Sequence, residues 1–142
     1  MYYSIKEFAE KFNVTEHTVR YYTDIGLLPC QRDNQNRRLF DEESENRMQG
    51  ITCLKGCGAS IEDIKEYCRL CLLEETKENL NARYRIILKQ RKQAYERLAE
   101  AQATVAYMDE KVKHYEAILA GSIPDDSNPN HWTTETRPDK HF

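Results

Sequence analysis

Two groups of side chains in this sequence have types and spacings that can do chemistry. The first is a set of thiols: Cys30, Cys53, Cys57, Cys68 and Cys71, with none further along the chain. A cysteine can be a small buried group, a metal ligand or a nucleophile, and its surroundings decide which. Cys53 and Cys57 are one helical turn apart, as are Cys68 and Cys71. Each pair can offer two thiolates from one helix, and the four together would suffice for a zinc site. The spacing fits no standard zinc module, however. Ile61, Ile64, Cys68, Cys71 and Leu72 share one helical stripe, which favours packing over ligation. No metal and no cofactor is expected, and Cys30 has no role beyond its loop. The second group is cationic and phenolic: Arg20, Tyr21, Arg32, Arg37 and Arg38 fall in one short stretch, a composition suited to phosphate contacts.

Composition bounds what these groups can serve. Of 142 residues, 32% are charged and 39% hydrophobic, the balance of a helical protein with much solvated surface. No apolar run is long enough to span a membrane. The opening Met1-Tyr2-Tyr3-Ser4-Ile5-Lys6 has no basic stretch followed by an apolar one, so a cytoplasmic location with reduced thiols is expected. The net charge of −3 lacks the basic footprint of a nucleic-acid binder, although the arginines cluster locally. There is no glycine-rich phosphate loop and no nucleophile–base–acid set, so an enzyme is not expected.

The positioning elements are legible from caps and periodicity. Ser4 with Glu7 forms a capping box, and Ile5, Phe8, Ala9 and Phe12 make one face of a short helix. Asn13-Val14 breaks it. Thr15 caps a second helix with Val19 and Tyr22 on its inner side, and Gly26 stops it. This pair of helices fits a helix-turn-helix and, on spacing alone, equally a plain helical hairpin. Asp33-Asn34-Gln35-Asn36 is suited to a hairpin tip, so Arg32, Arg37 and Arg38 would lie on a basic wing. Asp41 and Ser60 cap two further helices on either side of Gly56-Cys57-Gly58. From Leu80 an apolar repeat in steps of four and three runs through Tyr84, Ile87, Ala94, Leu98, Ala101, Val105, Met108, Val112, Tyr115 and Leu119, interrupted only by Arg91. That repeat is a coiled-coil seam, on a helix on the order of 60 Å long. One helix cannot bury such a stripe alone, so a homodimer is expected. After Gly121 comes a turn-forming tail in which Trp132 can fold back on the helix or line an effector pocket.

The landmarks, taken in order, resemble the MerR family of transcription regulators. The family pattern Val-Ser-x-x-Thr-Leu-Arg-Tyr-Tyr stands here as Val14-Thr15-Glu16-His17-Thr18-Val19-Arg20-Tyr21-Tyr22. It is followed by Gly26-Leu27-Leu28-Pro29, by Arg32, and by Arg37-Arg38-Leu39-Phe40 where the family has Tyr-Arg-x-Tyr. Arg37 therefore replaces a tyrosine hydroxyl with a cation. The resemblance implies a mainly α fold: a winged helix-turn-helix head over 1–41, two linker helices over 42–75, a long antiparallel coiled-coil dimerisation helix over 76–120, and a tail over 121–142.

It also implies roles and partners. Arg20 and Arg38 would anchor the phosphate backbone, with the hydroxyl of Tyr21 and with Ser4, Arg32 and Arg37 beside them. Glu16, His17 and Thr18 would present the exposed start of the recognition helix to base edges. The implied partners are a palindromic promoter operator in double-stranded DNA, a second copy of the chain as homodimer, and RNA polymerase indirectly, through distortion of the promoter spacer. No membrane partner is implied. Larger relatives carry a ligand domain after the long helix, and metal-sensing relatives carry cysteines at its far end; this sequence has neither. The resemblance is greatest to the NmlR/AdhR-like branch, which answers aldehyde and thiol stress, and Cys53 falls at that branch's sensing thiol. Regulation by zinc or an unknown small ligand, or a coiled-coil adaptor whose head binds protein, are the alternatives.

Overall fold

Short local signals set most element boundaries. The computed structural model describes residues 1–138. It contains β1 (Tyr3–Ser4), α1 (Ile5–Lys11), α2 (Glu16–Asp24), β2 (Gln31–Arg32), β3 (Arg38–Phe40), α3 (Glu42–Gly56), α4 (Ile61–Cys71), α5 (Lys77–Leu119) and a 3₁₀ turn at Pro129–His131. The architecture is mainly α, with a helix-turn-helix, a wing and a long C-terminal helix. In α1 the Ser4 hydroxyl accepts from the Glu7 amide at 3.3 Å while the Glu7 carboxylate accepts from the Ser4 amide at 2.8 Å. The same Ser4 contacts, its amide first, hold the Glu7 carboxyl below its usual value. Thr15 caps α2, Asp41 caps α3 and Ser60 caps α4, each accepting from the amide three residues on. Gly26 ends α2 at φ +75°, where an L side chain would be strained.

Two compact units divide the chain, Met1–Lys92 and Gln93–Phe142. The core of the first is built where α1, α2, α3 and the sheet meet. Phe8 stacks on Phe40 with ring centroids 4.4 Å apart, and Val19, Tyr22, Leu27, Met48 and Ile51 close around them. The sheet has the order β1-β3-β2 and is antiparallel throughout, with Tyr3 opposite Phe40 and Arg32 opposite Arg38. Periodicity gave no sign of β1, because a two-residue strand has no period to read. The start of α5 is tied to α4 within this unit: Lys89 and Gln90 both donate to the Asp63 carboxylate, at 3.1 and 3.0 Å. The Lys89 hydrogen bond is the main reason that carboxyl lies below its ordinary range.

One expectation is corrected in α4. Of the stripe expected to pack, Ile64 and Cys68 are buried, but Cys71 and Leu72 are exposed and Leu70 is buried instead. Leu70 lies about 200° around the helix from Cys68, so α4 buries two flanks and the single-stripe reading fails at its last turn.

The second unit holds the rest of α5 and the tail. The Trp132 indole donates to the Asp126 carbonyl at 2.7 Å, and His114 Nε2 meets Asp126 Oδ1 at 2.5 Å. Trp132, Tyr107 and Tyr115 help line a cleft of about 220 Å³ against the helix.

Candidate nucleic-acid interface and thiols

α2 is a two-sided element. Val19 and Tyr22 are locked into the core at 0% and 3% exposure, whereas Glu16, His17, Arg20 and Tyr21 face solvent. The Tyr22 hydroxyl accepts from Lys55 of α3 at 3.1 Å, a packing role consistent with its helical spacing. Thr18 is half-buried; its amide donates to the capping Thr15 oxygen at 3.1 Å, and the two threonine hydroxyls meet at 2.9 Å. The cap thus orders the N-terminal turn and leaves Glu16 and His17 its most exposed side chains. Ser4 shares this economy, since its hydroxyl is already engaged in capping α1.

The wing tip is organised by one carboxylate. Asp33 accepts from the amides of Gln35 and Arg37, each at 2.9 Å, and from Arg37 Nε at 2.8 Å. The Arg37 amide is the largest cause of its lowered pKa. Asn36 adopts φ 61° at the tip, and Arg32 Nη1 donates to its carbonyl at 2.9 Å. Arg38 is paired with Asp24 at the end of α2 at 2.8 Å, and its guanidinium side chain is only 20% exposed. Arg32, Arg37 and Arg38 therefore all have partners within the chain, while Arg20 is solvent-facing on α2.

Sequence reasoning missed both acidic partners, Asp24 and Asp33, because neither belongs to the basic pattern it followed. It also missed Lys55 beside Tyr22, in a cleft of about 430 Å³ that His17, Tyr21, Ala59 and Ile64 help to line. A basic residue one turn beyond an apolar α3 face was the only available signal.

The thiols separate by burial. Cys68 is buried, Cys30 is half-buried, and Cys53, Cys57 and Cys71 are exposed. Cys53 Sγ lies 3.6 Å from the Gln49 amide nitrogen. The two cations near it in sequence are directed elsewhere, Lys55 to Tyr22 and Arg47 toward the Leu27 carbonyl. Among the described residues no three His, Cys, Asp or Glu side chains converge as a metal site.

A capped helix with an outward N-terminal turn, following a first short helix and flanked by a basic hairpin, defines a winged helix-turn-helix DNA-binding protein. Comparison with known proteins gives the lineage. Residues 3–71 match the MerR HTH family regulatory protein. The chain is 32% identical over 132 residues to the uncharacterised HTH-type transcriptional regulator YyaN of Bacillus subtilis, covering 85% of this chain and 96% of that protein. It is 33% identical over 94 residues to AdhR of the same organism, covering 66% of each. Among solved structures it is similar to HiNmlR, a MerR family regulator lacking the sensor domain and bound to promoter DNA, with TM-score 0.70 and 26% identity over 86% of this chain and 92% of that one. A MerR-type regulator from Listeria monocytogenes gives TM-score 0.69 at 30% identity over 84% and 90%. The chain belongs to the MerR family and is a DNA-binding transcription regulator.

Proposed function

We propose that two copies of this chain pair through α5, set their heads on the half-sites of a palindromic promoter operator, and distort the spacer so that RNA polymerase engages both promoter elements. In this reading Arg20, Tyr21, Ser4, Arg32, Arg37 and Arg38 contact the backbone, and Glu16, His17 and Thr18 meet base edges. The 1–41 head, the 42–75 linker helices, the 76–120 helix and the 121–142 tail act as head, joint, dimer stalk and appendage, in the cytoplasm. The observation that carries the reading is the outward N-terminal turn of α2 on a helix whose other side is fixed in the core. Pairing is supported by the solvent-facing seam of α5, where Leu98, Val105 and Val112 are 52%, 59% and 53% exposed. Such a stripe is stable only when covered.

The signal enters through Cys53, which is modified by an aldehyde or oxidant and biases the heads through α3 and α4. Its exposure supports this role over that of a buried filler. A promoter-reporter assay with Cys53→Ala tests it. Loss of induction by aldehydes and by oxidants is expected, with DNA affinity unchanged; undiminished induction by both removes the thiol reading.

A further inference from the structure

We propose that Cys68 and Cys71 form a redox-active dithiol: a hydroperoxide oxidises Cys71, Cys68 closes the disulfide, and the joint between α4 and α5 loosens. The proposal goes beyond the Cys53 reading and does not rest on it.

The geometry comes from α4 itself. The two cysteines stand at positions i and i+3 of its last turn, with Leu72 capping the helix immediately after. Helix radius and rise put such Cα atoms about 5 Å apart, inside the range a disulfide spans. Their environments are unequal. Cys71 is exposed, and the guanidinium of Arg83, reaching across from α5, interacts with its thiol. Arg83 also pairs with Glu75 at 2.9 Å, but Glu75 is 75% exposed while the Arg83 side chain is 19% exposed. Arg83 Nε is buried without a hydrogen-bond partner. A largely buried cation with an orphaned nitrogen, set beside this exposed cysteine, marks Cys71 as the attacking sulfur of the pair.

Cys68 is suited to the other role. It is 6% exposed and lines a cleft of about 310 Å³ with Arg47, Lys65 and Arg69. Burial pushes its thiol up, with Arg47 opposing, so it remains protonated until a neighbouring sulfur becomes electrophilic.

The chemistry balances. The Cys71 thiolate attacks the distal oxygen of the hydroperoxide, the O–O bond breaks, and the alkoxide leaves as alcohol after taking a proton. Cys71 is then a sulfenic acid. The Cys68 thiol gives up its proton, its sulfur attacks Cys71 Sγ, and hydroxide leaves as water. Two thiols and one hydroperoxide become one disulfide, one alcohol and one water. The new bond turns Cys71 Sγ toward Cys68 and away from Arg83, so the joint between α4 and α5 loses the Arg83 interaction and keeps Lys89 and Gln90 on Asp63.

The test uses the full chain, reduced and anaerobic, treated with one equivalent of hydrogen peroxide, which leaves water as its alcohol counterpart. The expected product has lost the mass of two hydrogens. Trypsin cuts after Arg69, so the Cys68 and Cys71 peptides should remain joined until a reductant separates them. The same product should form with Cys53→Ser, and Cys68→Ser should stop at a sulfenic acid on Cys71 that dimedone traps. Arg83→Gln removes the cation beside the attacking sulfur, so its oxidation should be about threefold slower, and Arg83→Lys should restore the rate. In Cys53→Ser, oxidation mapping to cysteines other than Cys68 and Cys71, or an unchanged rate in folded Arg83→Gln, overturns the proposal. The peptide map decides it even if Arg83→Gln does not fold.

Discussion

Leu98→Ala and Val112→Ala on α5 probe the dimer stalk where its energy should lie. Leu98 is 52% exposed and Val112 53% exposed in the single chain. Full burial of such a side chain stabilises by about 1.5–3 kcal/mol, so covering the exposed half contributes about 1 kcal/mol each. A two-fold dimer counts every substitution twice. Leu98→Ala should therefore cost about 2 kcal/mol of dimer stability, or about thirtyfold in the dimer Kd. The two sites are several turns apart and should add, bringing the double variant to about a thousandfold. Alanine retains the best helix propensity, so circular dichroism at high protein concentration should report an intact α5. Sedimentation equilibrium across a concentration series reads the Kd directly. The reasoning is refuted if the unsubstituted chain stays monomeric at micromolar concentration, or if the double variant dimerises within threefold of it.

Other perturbations address the head. Ser4→Ala breaks the capping box seen between Ser4 and Glu7 and should destabilise the head by about 1 kcal/mol in urea unfolding. Asp24→Asn removes the carboxylate that Arg38 must leave to reach the DNA backbone; a DNA titration should then show tighter binding, with the salt slope unchanged because the phosphate contacts are the same. Asp33 has its pKa lowered in the folded chain, chiefly by the Arg37 amide. Its contribution is therefore present above the unfolded carboxyl value of about 3.9 and is lost as pH falls through the depressed folded value. Acid unfolding of Asp33→Asn, followed through amide signals of the wing, should lack that part of the acid limb. A wing whose acid response is the same with Asn at that position would contradict this.

Most of the head was legible because its signals are local. Ser4–Glu7, Thr15, Asp41 and Ser60 announce helix starts within three residues, and Gly26 announces a stop through its positive φ. The seam of α5 was equally plain, since its period accumulates over a 43-residue helix. What escaped depends on residues far apart in the chain. β1 exists only through pairing with β3, and Arg38 is neutralised by Asp24 fourteen positions earlier. Leu70 replaces Cys71 in the packed part of α4 because that helix buries two flanks, which one stripe of periodicity cannot register. The contact of Arg83 with Cys71 joins two helices across a loop, and neither residue marks it in the sequence.

Hydroxyl-radical footprinting on a palindromic promoter duplex, combined with the mass of the complex, tests the central claim most directly. Two chains per duplex should protect two patches on one face of the DNA, centred an integral number of helical turns apart, with affinity falling steeply as salt rises. One chain protecting a single patch, or no protection even at low salt, would contradict the account.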